Sequence, residues 1–93
     1  MLFYCAFTWQ PHATSQKVRE RFRQQHEAGT NHPERFRGYY GLAGGGAGFI
    51  IVEVDNHRDL TEMLQPYMDL VSWDVRAIYE VDYNQVLQQA QQG

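Results

Sequence analysis

Cysteine is nearly absent from this 93-residue chain, basic charge is scarce, and no long apolar run occurs. Each scarcity excludes something. The lone Cys5 leaves no intrachain disulfide and no all-cysteine metal site, so a reducing, cytoplasmic setting is expected. Eight basic against eleven acidic side chains give a net charge of −3, which excludes a strongly basic nucleic-acid binder because such binding draws its affinity from phosphate neutralisation. No stretch approaches the ~20 apolar residues that span a bilayer. The opening "MLFYCAFTW" has no basic flank and no small-residue cleavage site, so it does not read as a secretory leader. Neither a membrane nor a nucleic acid is therefore an expected partner. Residues 1–93 read as one domain, without long linkers. A domain this small buries only about 60–65% of its unfolded surface and is marginal alone. Yet 43% of its residues are apolar and 14% aromatic, so either the core is unusually dense or some apolar surface meets a partner subunit.

Leu2–Trp9 reads as a strand apolar on both faces, with Phe3, Cys5, Phe7 and Trp9 on one side and Leu2, Tyr4 and Ala6 on the other. Pro11 stops it. Thr14 or Ser15 caps a helix running to about Ala28, whose apolar stripe is thin: Val18 and Phe22. Gly29 is a natural stop. Arg35–Leu42 reads as a second strand, with Phe36, Tyr40 and Leu42 facing one way and Tyr39 the other. Gly48–Val54, "GFIIVEV", is a third and the clearest, and reads as central. Asn56 with Asp59 resembles a capping box. It opens a helix whose apolar face is Leu60, Met63, Leu64, Tyr67 and Met68, with Pro66 set to kink it or end it near Gln65. Val75–Val81 is the last strand, and the polar segment 83–93 makes a tail or short helix with Tyr83, Val86, Leu87 and Ala90 on one face. The order β-α-β-β-α-β is the ferredoxin-like plan, a four-stranded antiparallel sheet with two helices on one face. An α+β protomer of this kind leaves its other sheet face to be covered, most simply by another copy of itself.

"GLAGGGAGF", Gly41–Phe49, holds five of the eight glycines. Gly41 and Gly46 have the outer spacing of a phosphate-binding loop, but Ala47 and Gly48 stand where Lys and Ser/Thr are needed, and a strand comes next instead of a helix. The segment reads as a hairpin turn. The four histidines, His12, His26, His32 and His57, show no paired metal-ligand spacing, and neither a metal nor a cofactor is expected. Cys5 sits mid-strand, where burial makes an inert thiol. Glu53 interrupts "FIIVEV" and needs a partner; Arg37 and Arg76 on other strands are candidates for an interface charge pair. The aromatics Trp9, Tyr39 and Trp73, with His12 and His26, are candidates for an apolar ligand pocket between sheet and helices; ordinary core and interface packing is the competing reading. The basic stripe Lys17, Arg19, Arg21 and Arg23 reads as a solvated helix face.

"MLFYCAFTW", "RFRGYYGLAGGGAGFIIVEVDN" and "VSWDVRAIYEV" together resemble a bacterial family of uncharacterised proteins within the dimeric α/β-barrel superfamily. The resemblance spans nearly the whole chain. It implies a homodimer whose two sheets face each other. Superfamily relatives include cofactor-free monooxygenases, isomerase-like enzymes, haem-degrading enzymes and ligand-sensing domains, and fold alone does not choose among them. The expectation is thus a homodimer of unassigned activity with a pocket for a small apolar or aromatic ligand. A cofactor-free oxygenase or isomerase and a protein-interaction or regulatory module are the alternatives. Whether the chain is an enzyme stays open at this level.

Overall fold

The computed structural model describes residues 1–92. Four strands, β1 (Leu2–Trp9), β2 (Phe36–Gly41), β3 (Ala47–Glu53) and β4 (Val71–Ile78), form one antiparallel sheet in the order β2-β3-β1-β4. Helices α1 (Ser15–Glu27) and α2 (His57–Leu64) come after β1 and β3, and a third helix, α3 (Tyr83–Gln92), after β4. The ferredoxin-like reading holds, with the two most apolar strands at the centre. The segment 83–93, expected as a tail or short helix, is helical over Tyr83–Gln92; Gly93 lies outside the described residues.

Local signals set the helix boundaries. The Thr14 hydroxyl accepts from the Lys17 amide at 3.2 Å, and the Asn56 side chain accepts from the Asp59 amide at 2.9 Å, each satisfying an orphan donor of a first turn. Gly29 ends α1 in the left-handed region at φ 76°, and the Thr30 amide reaches back to the Gln25 carbonyl at 2.9 Å, as in a Schellman stop. Pro66 ends α2: the helix closes at Leu64 and a 3₁₀ turn covers Gln65–Tyr67, since proline has no amide to continue the ladder. Met68 consequently leaves the expected apolar face and is half exposed.

The core lies between the sheet and α2. Phe3, Cys5, Ile50, Val52 and Val54 meet Leu60, Met63 and Leu64, all buried, each such side chain contributing about 1.5–3 kcal/mol by leaving water. In contrast, α1 has no buried residue. Its thin stripe does not fill the space beneath it.

Two expectations about strands are corrected. β4 runs over Val71–Ile78 instead of Val75–Val81. Val71, Trp73, Val75 and Ala77 pair with Trp9, Phe7, Cys5 and Phe3, so the alternation extends four residues earlier through Ser72 and Asp74, whose side chains face away from the helices. The strand ends at Ile78 because its partner there is Leu2, the first residue of β1. In β2, a register shift between Phe36 and Gly38 marks a bulge at Arg37. A bulge inserts one residue and reverses the facing of the residues beyond it. Phe36 therefore shares the helix-covered face with Tyr39, 5.6 Å between ring centroids, while Tyr40 lies on the opposite face. The strand is also shorter than the expected Arg35–Leu42, starting at Phe36 and ending at Gly41.

The glycine segment is a hairpin turn. Gly44, Gly45 and Gly46 all have positive φ, which only glycine adopts without cost. At Gly48 an added Cβ would lie 2.6 Å from the Phe7 ring and closer still to the Tyr40 carbonyl.

Candidate functional site

The thinness of the α1 stripe has a structural consequence. A cavity of about 80 Å³, open on one side, lies under α1 on the helix-covered side of the sheet. Val18 and Phe22 of α1 form its roof, Met63 and Leu64 of α2 one wall, and Phe7, Trp9, Ile50, Val71 and Trp73 its floor. Phe36 and Tyr39, brought to the same face by the β2 bulge, form the opposite wall. Phe7 stacks edge-on against Trp73 at 5.7 Å and against Tyr39 at 6.4 Å between centroids. The Trp73 indole N–H donates to the Leu64 carbonyl at 3.1 Å, which fixes the ring. Such edge-to-face pairs add about 0.5–1.5 kcal/mol each beyond area burial and give the cavity stiff walls.

Polar ties, not apolar packing, hold the roof in place. The Arg21 guanidinium forks onto Asp69 at 2.7 and 3.0 Å and also donates to the Pro66 carbonyl. This pairing lowers the Asp69 carboxyl below the usual carboxylate range and raises Arg21. At the other end of α1, Asn31 donates to the Phe22 carbonyl at 3.1 Å and accepts from the Tyr67 hydroxyl. Asn31 and Tyr67 both line the cavity. Burial pushes the Tyr67 hydroxyl up to about 12, with the Tyr39 hydroxyl nearby adding to the shift. Burial likewise raises Tyr39. Both hydroxyls stay protonated at neutral pH; with the Asn31 amide they are the polar groups of a mostly apolar lining.

Of the residues expected around a pocket, Trp9, Tyr39 and Trp73 converge here. His12 and His26 do not. His12 sits over a shallow polar depression with Lys17, Glu20 and Asp69, its Nε2 2.8 Å from the Asp69 carbonyl oxygen. His26 is in the last turn of α1 and exposed. His26 faces solvent because α1 turns only its thin Val18–Phe22 stripe toward the sheet, and His12 lies in the exposed turn between β1 and α1. Asn31 and Tyr67 are not among the expected residues: one lies in the loop "GTNHPE", and the other comes after Pro66, where the helical periodicity no longer applies.

The expected charge pairing of Glu53 with Arg37 or Arg76 does not form within the chain. Glu53 Oε1 lies 3.3 Å from the Met1 ammonium, Arg76 lies 3.5 Å from Asp74, and Arg37, displaced by the bulge, donates to the Glu34 and Phe36 carbonyls. Arg21 is engaged with Asp69, and Arg23 pairs with Glu27 at 3.0 Å, so the stripe on α1 is partly spent in local ion pairs. Cys5 is buried, and desolvation raises its thiol to about 11, far from a reactive thiolate. Among the described residues, no group of three or more His, Cys, Asp or Glu side chains is placed to hold a metal ion, and no helix is long and apolar enough to cross a membrane.

The sheet's other face carries no helix among the described residues. Along it run Leu2, Tyr4 and Ala6 of β1, Ala47, Phe49 and Ile51 of β3, Tyr40 of β2 and Ile78 of β4. Tyr4, Phe49 and Tyr40 form an aromatic row across three strands, with both ring-centroid separations 5.0 Å. Glu53, Asp74 and Arg76 belong to the same face by register.

No curated protein matches the chain. A family model described as a domain of unknown function, DUF3303, matches residues 1–91, so the chain, with its roofed aromatic cavity on one side of the sheet and its apolar row on the other, belongs to the DUF3303 family.

Proposed function

We propose that the protein binds a single-ring aromatic or apolar small molecule in the cavity beneath α1, and that it works as a homodimer whose open sheet faces pack together as in the dimeric α/β barrels. The observation that carries the ligand reading is the cavity's lining: stiff aromatic walls with the Tyr39 and Tyr67 hydroxyls and the Asn31 amide as its few polar groups. That is the make-up of a small-molecule site, apolar overall with few polar groups. A cavity of ~150 Å³ with apolar walls holds benzene; this one is smaller but open, so a ring enters with one edge toward solvent. The oxygenase and isomerase alternatives need a proton acceptor at the reacting carbon. The ionisable groups in the lining are the two tyrosines, both raised, which favours binding over base catalysis. The interaction-module alternative is served by a filled core, and the cavity weighs against it. A cytoplasmic location belongs to the same reading, resting on the single reduced cysteine.

Both tryptophans of the chain, Trp9 and Trp73, line the cavity, so intrinsic fluorescence reports on it directly. Titration with phenol, benzyl alcohol and benzoate is expected to give saturable quenching by the two neutral rings and weaker quenching by benzoate, since the burial that raises both tyrosines also disfavours an anion. No saturable response to any of the three overturns the ligand reading.

A further inference from the structure

Helix α3 presents Tyr83, Val86, Leu87 and Ala90 on one side, at helical spacing, and every residue of the helix is exposed. Tyr83 is 78% accessible and Val86 49%. The Asp82 carboxylate caps it, accepting from the Gln85 amide at 3.1 Å, yet nothing among the described residues of its own chain covers the stripe. The molecule extends 54 Å along its longest axis, and its radius of gyration is 16.2 Å, against about 12 Å for a compact chain of this length. A helix of ten residues is below the ~12–15 that hold in water without tertiary contacts, so the stripe calls for a partner.

We infer that α3, which follows the edge strand β4, is an exchanged element, seating its apolar stripe on a second copy of this chain at the rim of the facing sheets. The inference rests on the homodimer reading above. Charge selects this occupant: α3 contains no acidic or basic residue, so it lacks the basic flank of a helix that lies on an anionic membrane and the phosphate contacts of a nucleic-acid binder. Area supports it too. Strands ~4.8 Å apart and ~26 Å long give two facing sheets roughly 1,000 Å² of buried surface, short of the 1,200–2,000 Å² of stable interfaces. Two exchanged helices, each ~15 Å long and ~10 Å wide, add roughly 600 Å² and bring the total within that range.

The test is sedimentation of the parent chain, a Val86→Glu/Leu87→Glu double variant, a Gln85→Glu/Gln88→Glu control with its charges on the opposite side of α3, and Ile51→Asp on the open face. The double variant is expected to weaken dimerisation roughly a hundredfold or more, since four carboxylates per dimer would be desolvated, while the control dimerises as the parent does. Both stripe residues are exposed in the protomer, so its melting transition at low concentration should not move. A double variant that dimerises like the parent overturns the exchange and leaves the dimer standing. A parent chain that is monomeric at all concentrations overturns the dimer itself. Loss of dimer in the double variant but not in Ile51→Asp would mean that α3 helices pair with each other, and overturns the seat at the rim of the facing sheets.

Discussion

The two faces of the sheet are built from the same strands and make opposite use of nearly the same chemistry. On the covered side, Phe3, Cys5, Ile50 and Val52 are packed by α2 to less than a tenth exposure. On the open side, Tyr4, Phe49, Ile51 and Ile78 alternate with them and keep part of their surface exposed. The covered face is itself divided. Where α2 lies, it is filled; where α1 lies, a cavity remains. Apolar composition alone therefore does not tell a filled core from an open face. What decides is whether the element crossing above supplies enough side chain to fill the gap.

This comparison breaks most sharply at two neighbouring residues. Val52 is fully buried, so Val52→Asp strands a carboxylate in the core at a cost on the order of 5 kcal/mol, comparable to the whole stability of a small domain. Loss of the far-ultraviolet dichroism of the native fold is the expected result. Ile51→Asp, one residue away on the open face, should keep that signal and cost the isolated protomer only about 1 kcal/mol in urea unfolding. If Ile51→Asp unfolds the dilute protein as Val52→Asp does, the assignment of the two faces is wrong.

A pair of glycines extends the comparison at smaller amplitude. Gly41 and Gly48 are partners across β2 and β3. At Gly48 a Cβ would collide with the Tyr40 carbonyl and the Phe7 ring, whereas at Gly41 it meets nothing within 4 Å. Gly48→Ala should cost about 1–3 kcal/mol, as overpacking does, and disturb the cavity through Phe7. Gly41→Ala should fall within about 0.5 kcal/mol of the parent. Equal melting temperatures for the two variants would show that the hairpin is looser than this packing requires.

The smallest effect concerns how α1 is hung. The folded-state pKa of Asp69 is depressed, first by its hydrogen bond from Arg21. A depressed carboxylate contributes stability that is fully present above its unfolded pKa and lost as pH falls through the folded value. The pair is exposed, so the contribution is modest. Melting temperature tracked from neutral pH down into the acid range should fall slightly less steeply in Arg21→Ala than in the parent. An unchanged acid limb in that variant would mean that the fork carries none of the acid sensitivity, leaving the ties through Asn31 as the roof's main anchor.

Much of the architecture is legible in the chain itself, because it rests on neighbours in sequence. Thr14, Asn56 and Gly29 mark helix ends through hydrogen bonds within a few residues, and Pro66 stops α2 by lacking an amide. The glycine run turns a hairpin because its backbone needs positive φ. The alternation in "LFYCAFTW" and "FIIVEV" marks central strands. The site is less legible. Trp9, Tyr39 and Trp73 emerge from aromatic content on strands, but Asn31 and Tyr67 lie in irregular segments that carry no periodic signal. The bulge at Arg37 inverts the facing of Tyr39 and Tyr40, which strict alternation from Phe36 assigns the other way. Histidine type suggests His12 and His26, whereas the placement of His26 is set by how α1 is rotated on the sheet and that of His12 by the turn between β1 and α1.

Composition and periodicity thus determined the element order, the caps, the hairpin and the surplus of apolar strand surface, since each depends on residues a few positions apart and on their preference for leaving water. The register of β4, the bulge in β2 and the empty volume beneath α1 were settled by packing. They depend on which distant residues come into contact, and a cavity is a shortfall of volume that no single segment encodes. That shortfall comes from Val18 and Phe22 on α1, two side chains lying over a floor wide enough for more.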